Sequence, residues 1–142
     1  MDHEHQSVVV LAKKKDDFIL IRQFRKPVDT YVIQLPGGGL EANESLAEGA
    51  RREFYEETGY TCGKLDYVGE LLPASWISKE ITHVFYTSDV LDQKEQQLEN
   101  HEDIEVVEVS VESCLEKIKQ SEYNDSELCY AVLQGLLQGY IK

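Results

Sequence analysis

The sequence has little positive charge, and this shortage excludes a class of partner. Its 14 Lys and Arg residues face 27 Asp and Glu residues, which gives a formal net charge of −13 at pH 7. A chain with this balance repels the phosphate backbone of a polynucleotide and lacks the basic patch on which nucleic-acid binders depend. We therefore expect no polynucleotide partner, and an anionic substrate would need a metal ion to mediate its binding.

Cysteines are also few, and they do not form a recognisable pattern. Cys62, Cys114 and Cys129 are odd in number and show no C-x-x-C spacing. This argues against both a disulfide framework and a thiolate zinc site. We expect three buried or inert thiols.

Long apolar runs are missing as well. The longest ones, such as Ser7 to Ala12, fall far short of the ~20 residues that a membrane-spanning helix needs. The first residues, Met-Asp-His-Glu-His, are acidic and no apolar core follows them before Lys13, so they lack the parts of a signal peptide. We expect a soluble, cytoplasmic protein without a membrane partner, and 142 residues fit a single domain over 1–142.

The first part of the chain predicts strands. Ser7 to Ala12 and Phe18 to Arg22 are short aliphatic runs joined by a charged turn, which is typical of a hairpin. Another extended segment, Tyr31 to Leu35, ends at Pro36-Gly37-Gly38-Gly39. Because these four residues continue neither a strand nor a helix comfortably, we expect a loop to begin there.

A helix is predicted from Ser45 to Thr58. Leu46, Ala50 and Phe54 repeat every four residues as an apolar stripe. Gly59 stands where a left-handed C-cap belongs. Gly49, inside this helix, would lower helix stability by about 1 kcal/mol relative to alanine. We therefore expect it to mark close packing against a strand.

The rest of the chain alternates strands and helices. We expect strands over Leu65 to Leu72, Ile81 to Thr87 and Ile104 to Val109, with an acidic loop from Asp92 to Asp103 before the last of them. Two further helices are predicted, from Val111 to Gln120 behind Ser110 and from Ser126 to Ile141 behind Asn124 and Asp125.

Three carboxylates crowd one face of the first helix. Glu53, Glu56 and Glu57 stand at positions i, i+3 and i+4, so their side chains project within one turn of each other. Like charges at this spacing destabilise a helix unless a cation neutralises them. Hard oxygen ligands indicate Mg²⁺, with Mn²⁺ as the alternative. Arg52 is close enough to orient one carboxylate while a metal takes others.

The glycine run and the helix together form a longer motif, and its fixed residues are spaced as Gly38-x5-Glu44-x7-Arg52-Glu53-Phe54-x-Glu56-Glu57-x-Gly59-Tyr60. This segment resembles the Nudix box at every fixed position. Only the last position is unusual, because Tyr60 stands where an aliphatic residue is common. The chain is therefore identified as resembling the Nudix hydrolases, metal-dependent enzymes that hydrolyse a nucleoside diphosphate linked to another group.

The resemblance implies an α/β fold, an α/β/α sandwich around a mixed β-sheet. It implies that Glu53, Glu56 and Glu57 are metal ligands, that Gly38 adds a backbone carbonyl, and that Glu44 and Arg52 brace the loop and helix. A further acidic residue, from the loop before the last strand, would act as general base. We favour Glu102, with Glu99, Asp103 and Glu53 as alternatives.

Outside the box the chain resembles the ADP-sugar branch of the family, in Arg22-Gln23-Phe24-Arg25 with Pro27 and in Gln34-Leu35-Pro36-Gly37-Gly38. By this resemblance Arg25 would hold a phosphate, Gly38 and Gly39 would approach the substrate, and Glu80 would contact the terminal ribose or a metal. The proline that this branch commonly has about fifteen residues beyond the box is replaced by Ser75. For Trp76 we consider interior packing, a cover over a nucleobase and a contact in a possible homodimer.

Three functions remain open at this stage. The first is hydrolysis of a nucleotide sugar such as ADP-ribose to AMP and a sugar phosphate. The second is pyrophosphohydrolysis of nucleoside triphosphates or dinucleoside polyphosphates, because the box binds pyrophosphate whatever lies beyond it. The third is a non-catalytic nucleotide-binding module, which the intact set of Glu53, Glu56, Glu57 and Arg52 disfavours.

Overall fold

The fold is an ordered alternation of strands and helices around one long sheet. The structure, a computed structural model, describes residues 5–93 and 103–142. A short 3-10 helix over Lys26–Val28 separates the second and third strands. The strands and helices are β1 (Gln6–Lys14), β2 (Asp17–Arg25), β3 (Thr30–Gln34), β4 (Gly37–Gly39), α1 (Leu46–Thr58), β5 (Tyr60–Cys62), β6 (Asp66–Leu71), β7 (Ile81–Thr87), β8 (Val90–Gln93), β9 (Ile104–Ser110), α2 (Val111–Lys119) and α3 (Ser126–Leu137).

The main sheet is mixed and has seven strands. Its path runs β3-β2-β1-β7-β6, while β4 pairs with β1 and β9 pairs with β2. The β1–β7 pair is parallel, with Gln6 opposite Ile81 and Ala12 opposite Thr87, and the other pairs of this sheet are antiparallel. A separate two-stranded sheet joins β5 and β8. The mixed sheet that the sequence predicts is thus confirmed.

Helices cover both faces of the sheet. On one face Val8 and Val10 of β1 pack with Phe54 of α1. On the other face Val9 and Leu11 pack with residues of α2 and α3. Because both faces are covered, β1 is apolar along its whole centre and does not alternate. This is the expected α/β/α sandwich.

The glycine run does not form the expected loop. Gly37–Gly39 is a short strand that pairs antiparallel with β1, with Gly38 opposite Val8. The missing side chains are the physical reason, since a Cβ on Gly37 would collide with the carbonyl oxygen of Val8. The glycines are therefore held in the sheet, directly beside the first strand.

The last helix is shorter than predicted, because it ends at Leu137 and not at Ile141. Gly139 has a φ of +84°, and the amide of Ile141 donates to the carbonyl of Gly135 at 3.1 Å. This return of the backbone buries Ile141 in the core, which explains why the apolar pattern continues beyond the helix.

Two further expectations concern the cysteines and the helices. All three cysteines are free, with Cys62 and Cys114 buried, and burial raises the pKa of the Cys114 thiol to about 11. No helix within residues 5–93 and 103–142 is long and apolar enough to cross a membrane.

Candidate active site

Helix α1 is fixed sharply at both ends. The Ser45 hydroxyl accepts a hydrogen bond from the amide of Glu48 at 3.1 Å, and the Glu48 carboxylate accepts one from the amide of Ser45 at 2.8 Å. These two bonds form a capping box. At the other end Gly59 adopts a φ of 79° and donates to the carbonyl of Tyr55. Both caps set the phase of the helix, and therefore the direction in which its carboxylates point.

The loop before α1 packs tightly onto the helix at Gly49. A Cβ at this position would collide with the side chain of Leu40 and lie 3.0 Å from Oε1 of Glu44. Gly49 therefore approaches a loop, and the expectation that it packs against a strand is wrong. The close approach brings Glu44 onto the surface of the helix that Arg52 also occupies.

Arg52 holds the loop, the glycine strand and the helix together. Its Nε and Nη2 donate to the two carboxylate oxygens of Glu44 at 2.7 and 3.1 Å. Nη2 also donates to the carbonyl of Gly39 at 2.9 Å, and Nη1 donates to Glu53 at 2.9 Å and to Glu56 at 3.0 Å. The bond to Glu44 is the main reason that the pKa of Arg52 is raised. Such a bidentate pair fixes orientation as well as charge.

The three box carboxylates differ in their surroundings. Glu57 is 5% exposed and accepts a hydrogen bond from the amide of Gly37 at 2.9 Å, whereas Glu53 and Glu56 are partly exposed and contact Arg52. Glu53 also lies against the glycine strand, because a Cβ on Gly38 would be 2.7 Å from its carboxylate. The site is thus a wall of carboxylates facing a strand without side chains.

The side chains of this wall do not meet at one point. Within the described part of the chain, no three His, Cys, Asp or Glu residues are grouped closely enough to hold a metal ion. Arg52 contacts both Glu53 and Glu56, while Glu57 turns toward Gly37. Their assignment as metal ligands therefore stays a prediction that rests on the chemistry of the donors.

The contacts of Tyr60 explain why a tyrosine can stand at the end of the box. Its ring stacks on Phe54 with centroids 6.4 Å apart. Its hydroxyl donates to Glu108 at 3.0 Å and accepts from Lys14 at 3.3 Å. The ring fills the core as an aliphatic side chain would, and the hydroxyl reaches charged partners on β1 and β9.

The site residues predicted outside the box lie in different places. Arg25, the last residue of β2, donates from Nε to Oε1 of Gln34 at 2.8 Å. Glu80 lies just before β7, where its carboxylate is 4.0 Å from Nδ1 of His5. Glu102 and Glu99 lie outside the described residues. Asp103 is exposed at the edge of the described segment.

Two cavities adjoin Arg25 and Gln34. The larger has a volume of about 920 Å³, and residues from the loop before β7, from β3 and from the α2–α3 connection line it, among them Pro73, Trp76, Tyr31 and Asp125. The smaller has about 100 Å³ and reaches Gly37, Gly38 and Glu127. Arg25 and Gln34 line both cavities, whereas Gly37 and Gly38 line only the smaller one.

Trp76 lines the larger cavity while remaining 81% exposed. Interior packing, one of the roles considered for it, is therefore wrong. A cover over a ligand and a contact with a second copy of the chain remain.

Two residues of this region escaped the sequence interpretation. Gln34 donates from Nε2 to Oδ1 of Asp125 at 3.1 Å, and Glu127 accepts a hydrogen bond from the buried hydroxyl of Thr82 at 2.5 Å. Gln34 lies in the segment that resembles the ADP-sugar branch, which was a usable signal. No sequence signal pointed to Glu127, because acidic residues are common in the first turn of a helix, where they stabilise the helix itself.

Known proteins match both the sequence and the fold. The model of the NUDIX domain family matches residues 1–128. An ADP-ribose pyrophosphatase of Bacillus subtilis (strain 168) is 34% identical over 133 residues, which cover 91% of this chain and 71% of the relative. A GDP-mannose pyrophosphatase of Enterobacter sp. (strain 638) is 30% identical over 145 residues, which cover 92% of this chain and 74% of the relative.

A solved structure described as an ADP compounds hydrolase superposes with a TM-score of 0.81 at 20% identity, covering 95% of this chain and 74% of the other. At this identity the superposition bears on the fold alone, and it agrees with the α/β/α sandwich described above. The chain therefore belongs to the Nudix family and is a Nudix hydrolase, as the complete box motif, the Arg52-centred site and the family match over most of the chain all indicate.

Proposed function

We propose that this protein hydrolyses the pyrophosphate bond of a nucleotide sugar, with ADP-ribose as the first compound to test. Water gives its proton to a general base and its hydroxyl to one phosphorus of the P–O–P anhydride, and the other phosphate leaves with the bridging oxygen, so that AMP and a sugar phosphate result. The observation that carries the proposal is the Arg52-braced carboxylate wall against β4, because Gly37 and Gly38 of β4 line a small cavity that shares Arg25 and Gln34 with a second cavity of about 920 Å³. The two relatives named as nucleotide-sugar pyrophosphatases support it.

A divalent metal ion belongs to this proposal. Nudix hydrolases generally need one, and Mg²⁺, or Mn²⁺ in its place, suits the hard oxygen donors of this site. We assign Glu53, Glu56, Glu57 and the carbonyl of Gly38 as its ligands. The absence of a side chain on Gly38, close to the Glu53 carboxylate, agrees with that assignment. When bound, such an ion neutralises pyrophosphate charge and activates water.

The protein's own groups prepare the reaction. Arg52 orients Glu53 and Glu56 through Nη1 and anchors the preceding loop through Glu44. With a net charge of −13, the chain repels an anionic substrate, so a cation and Arg25 must offset that repulsion locally. Glu102 is proposed as the general base, and Glu99, Asp103 and Glu53 remain the alternatives.

The larger cavity is proposed to hold the nucleoside. Its volume lies within the usual range of roughly 300–1,000 Å³ for ligand pockets, and its mixture of aromatic and polar side chains is typical of such pockets. Trp76 would lie over the nucleobase, and Arg25 would bind a phosphate oxygen at the mouth of the smaller cavity. Glu80 is retained as a contact for the terminal ribose or a metal. We further propose a cytoplasmic location and a homodimer.

A panel assay tests this function. Purified protein is incubated with Mg²⁺ and separately with ADP-ribose, GDP-mannose, a nucleoside triphosphate and a dinucleoside polyphosphate, and the products are identified by mass. We expect nucleoside monophosphate and sugar phosphate from a nucleotide sugar, with no turnover in excess chelator. Release of pyrophosphate from the triphosphate without turnover of any nucleotide sugar would establish the nucleotide-pool function in its place. No release from any compound would favour the binding module.

A further inference from the structure

Glu127 is a half-buried carboxylate to which the box motif assigns no role. It is the second residue of α3, and its only described side-chain hydrogen bond comes from the hydroxyl of Thr82, which is fully buried in β7. Thr82 in turn lies 3.3 Å from the hydroxyl of Ser7 on β1. This pair of strands therefore holds the carboxylate in place. Burial is the largest cause of the raised pKa of Glu127.

The carboxylate lines the smaller cavity beside the glycine strand. This cavity has about 100 Å³ and is also bounded by Arg25, Gln34, Gly37 and Gly38. At about 30 Å³ for each water molecule, it has room for roughly three waters. A nucleobase does not fit such a space, whereas a few hydroxyl groups do.

The position of this cavity indicates which part of a substrate reaches it. If the function proposed above holds, the pyrophosphate lies at Gly38 and the nucleobase in the larger cavity. Arg25 and Gln34 line both cavities, so the smaller one lies between those two ends of the ligand. In a nucleoside diphosphate the group between base and pyrophosphate is the ribose.

We propose that Glu127 is a specificity-determining residue that accepts hydrogen bonds from the hydroxyl groups of the nucleoside ribose. An ionised carboxylate has only acceptor sites, and a ribose offers two neighbouring hydroxyl donors. A pyrophosphate offers acceptors only, so Glu127 would repel it, and Arg25 is the group that suits the phosphate. The inference rests on the proposed function, because it takes a nucleotide as the ligand.

The test measures kinetics on a matched series of substrates. Wild-type protein and Glu127→Ala are assayed with ADP-ribose and with its analogues that lack the 2′- or the 3′-hydroxyl of the adenosine ribose. For wild type we expect KM to rise about tenfold or more with at least one analogue, since a hydrogen bond to a charged group is lost. For Glu127→Ala we expect ADP-ribose and that analogue to share the same raised KM within about twofold, with kcat little changed.

Glu112→Ala is the control, because Glu112 holds the same second position of helix α2 and is exposed. It should retain the wild-type preference for the ribose hydroxyls. Thermal unfolding of all three proteins verifies that each is folded, and Glu127→Leu, which keeps the bulk of the side chain but offers no acceptor, replaces Glu127→Ala if the latter does not fold. A purely structural role would lower the amount of active enzyme without removing the preference.

Several results would overturn the inference. Equal KM values of wild type for ADP-ribose and both analogues would do so, as would an undiminished preference in Glu127→Ala. A loss confined to kcat would place Glu127 in the chemical step and also contradict it. Failure of wild type to hydrolyse any nucleotide sugar would reject the proposed function and this inference together, whereas active wild type with an unchanged variant rejects the inference alone.

Discussion

The box and the cavities beside it are built in different ways. Arg52 donates hydrogen bonds to residues that are one, four, eight and thirteen positions away in the chain. In the region of the cavities, Gln34 donates to Asp125 across 91 positions and Thr82 donates to Glu127 across 45. One site is therefore assembled within one continuous segment of chain, β4, α1 and the loop between them, and the other from strands and helices that only the complete fold brings together.

The two regions also differ in charge. In the box, one guanidinium donates hydrogen bonds to Glu44, Glu53 and Glu56, so these carboxylates are held in fixed positions beside a positive charge. Beside it, the described hydrogen-bond partner of Glu127 is a neutral hydroxyl. The first arrangement suits a cation and the cleavage of pyrophosphate, while the second suits neutral groups of a substrate. The comparison suggests that chemistry and substrate choice can be changed separately.

The largest effect should follow Glu57→Gln. Loss of one ligand charge should lower kcat at least about 100-fold, because even groups that only support a metal ligand cost 10–100-fold when removed. The fold should survive, since a glutamine oxygen can still accept the hydrogen bond from Gly37. Turnover in Mg²⁺ and thermal unfolding measure the two properties.

Glu48→Gln is the matched control for this change, because Glu48 is an exposed glutamate of the same helix and glutamine also suits its capping position. It should remain active. Activity of Glu57→Gln within about threefold of wild type would show that our assignment of the metal site is wrong.

The next largest effect should follow Arg52→Lys. A lysine is a single point charge and cannot donate to Glu44, Gly39 and Glu53 at once. We expect kcat to fall roughly 10–100-fold, measured on ADP-ribose with Mg²⁺ in excess. The same loss should appear with every accepted substrate if the box acts on the pyrophosphate alone.

Arg51→Lys provides the comparison within the helix, because Arg51 donates to the carbonyls of Cys62 and Gly63, both at 2.7 Å, and not to the box carboxylates. Arg51→Lys should lower the melting temperature while kcat stays nearly unchanged. Equal kinetic losses in both variants would contradict a special role for Arg52.

A smaller effect, on binding, is expected from Arg25→Ala. Removal of the guanidinium should raise KM for ADP-ribose about tenfold while kcat changes little, since one charge-assisted hydrogen bond to a phosphate is lost. Lys26→Ala removes the same charge from the next residue, which lines neither cavity, and should leave KM nearly unchanged. A fall in kcat without a change in KM would assign Arg25 to the chemistry of the box.

The smallest effect is expected from Trp76→Ala. Loss of stacking should raise KM about fivefold, near the lower end of what one base–aromatic contact contributes. Stability should not change, because the side chain is 81% exposed. Ile77→Ala is the control, since Ile77 is 80% exposed but does not line the larger cavity. Sedimentation at several concentrations decides the alternative, because dissociation of a dimer by Trp76→Ala would make it a subunit contact.

Local patterns made much of the fold predictable. The C-terminal end of α1 was readable because Gly59 acts on the residues directly before it, whereas the capping box of Ser45 and Glu48, although equally local, was not predicted. Strand Gly37–Gly39 was missed because glycine carries no strand propensity, and only its position against β1 makes it a strand. The separate sheet of β5 and β8 was missed for a related reason, since its strands are three and four residues long and 30 positions apart.

Part of the candidate site could likewise be predicted from the sequence, and part could not. Glu53, Glu56 and Glu57 lie on one helix, as their spacing predicts. The same spacing does not show that Glu57 is buried. Burial depends on β4, which packs over that end of the helix and donates the amide of Gly37. Glu127 could not be selected, because its importance depends on a cavity and not on its neighbours in sequence.

The sequence by itself determined which residues form the box, because glycine, glutamate and arginine stand at fixed spacings within one continuous segment that becomes β4, the following loop and α1. Only the tertiary structure decided what lies beside that centre. The side chains of Arg25, Gln34 and Glu127 come from β2, β3 and α3, and they share one small cavity only because the sheet and its helices pack as they do. A helix period can be read from any window of sequence, whereas the walls of a cavity depend on contacts between segments far apart in the chain.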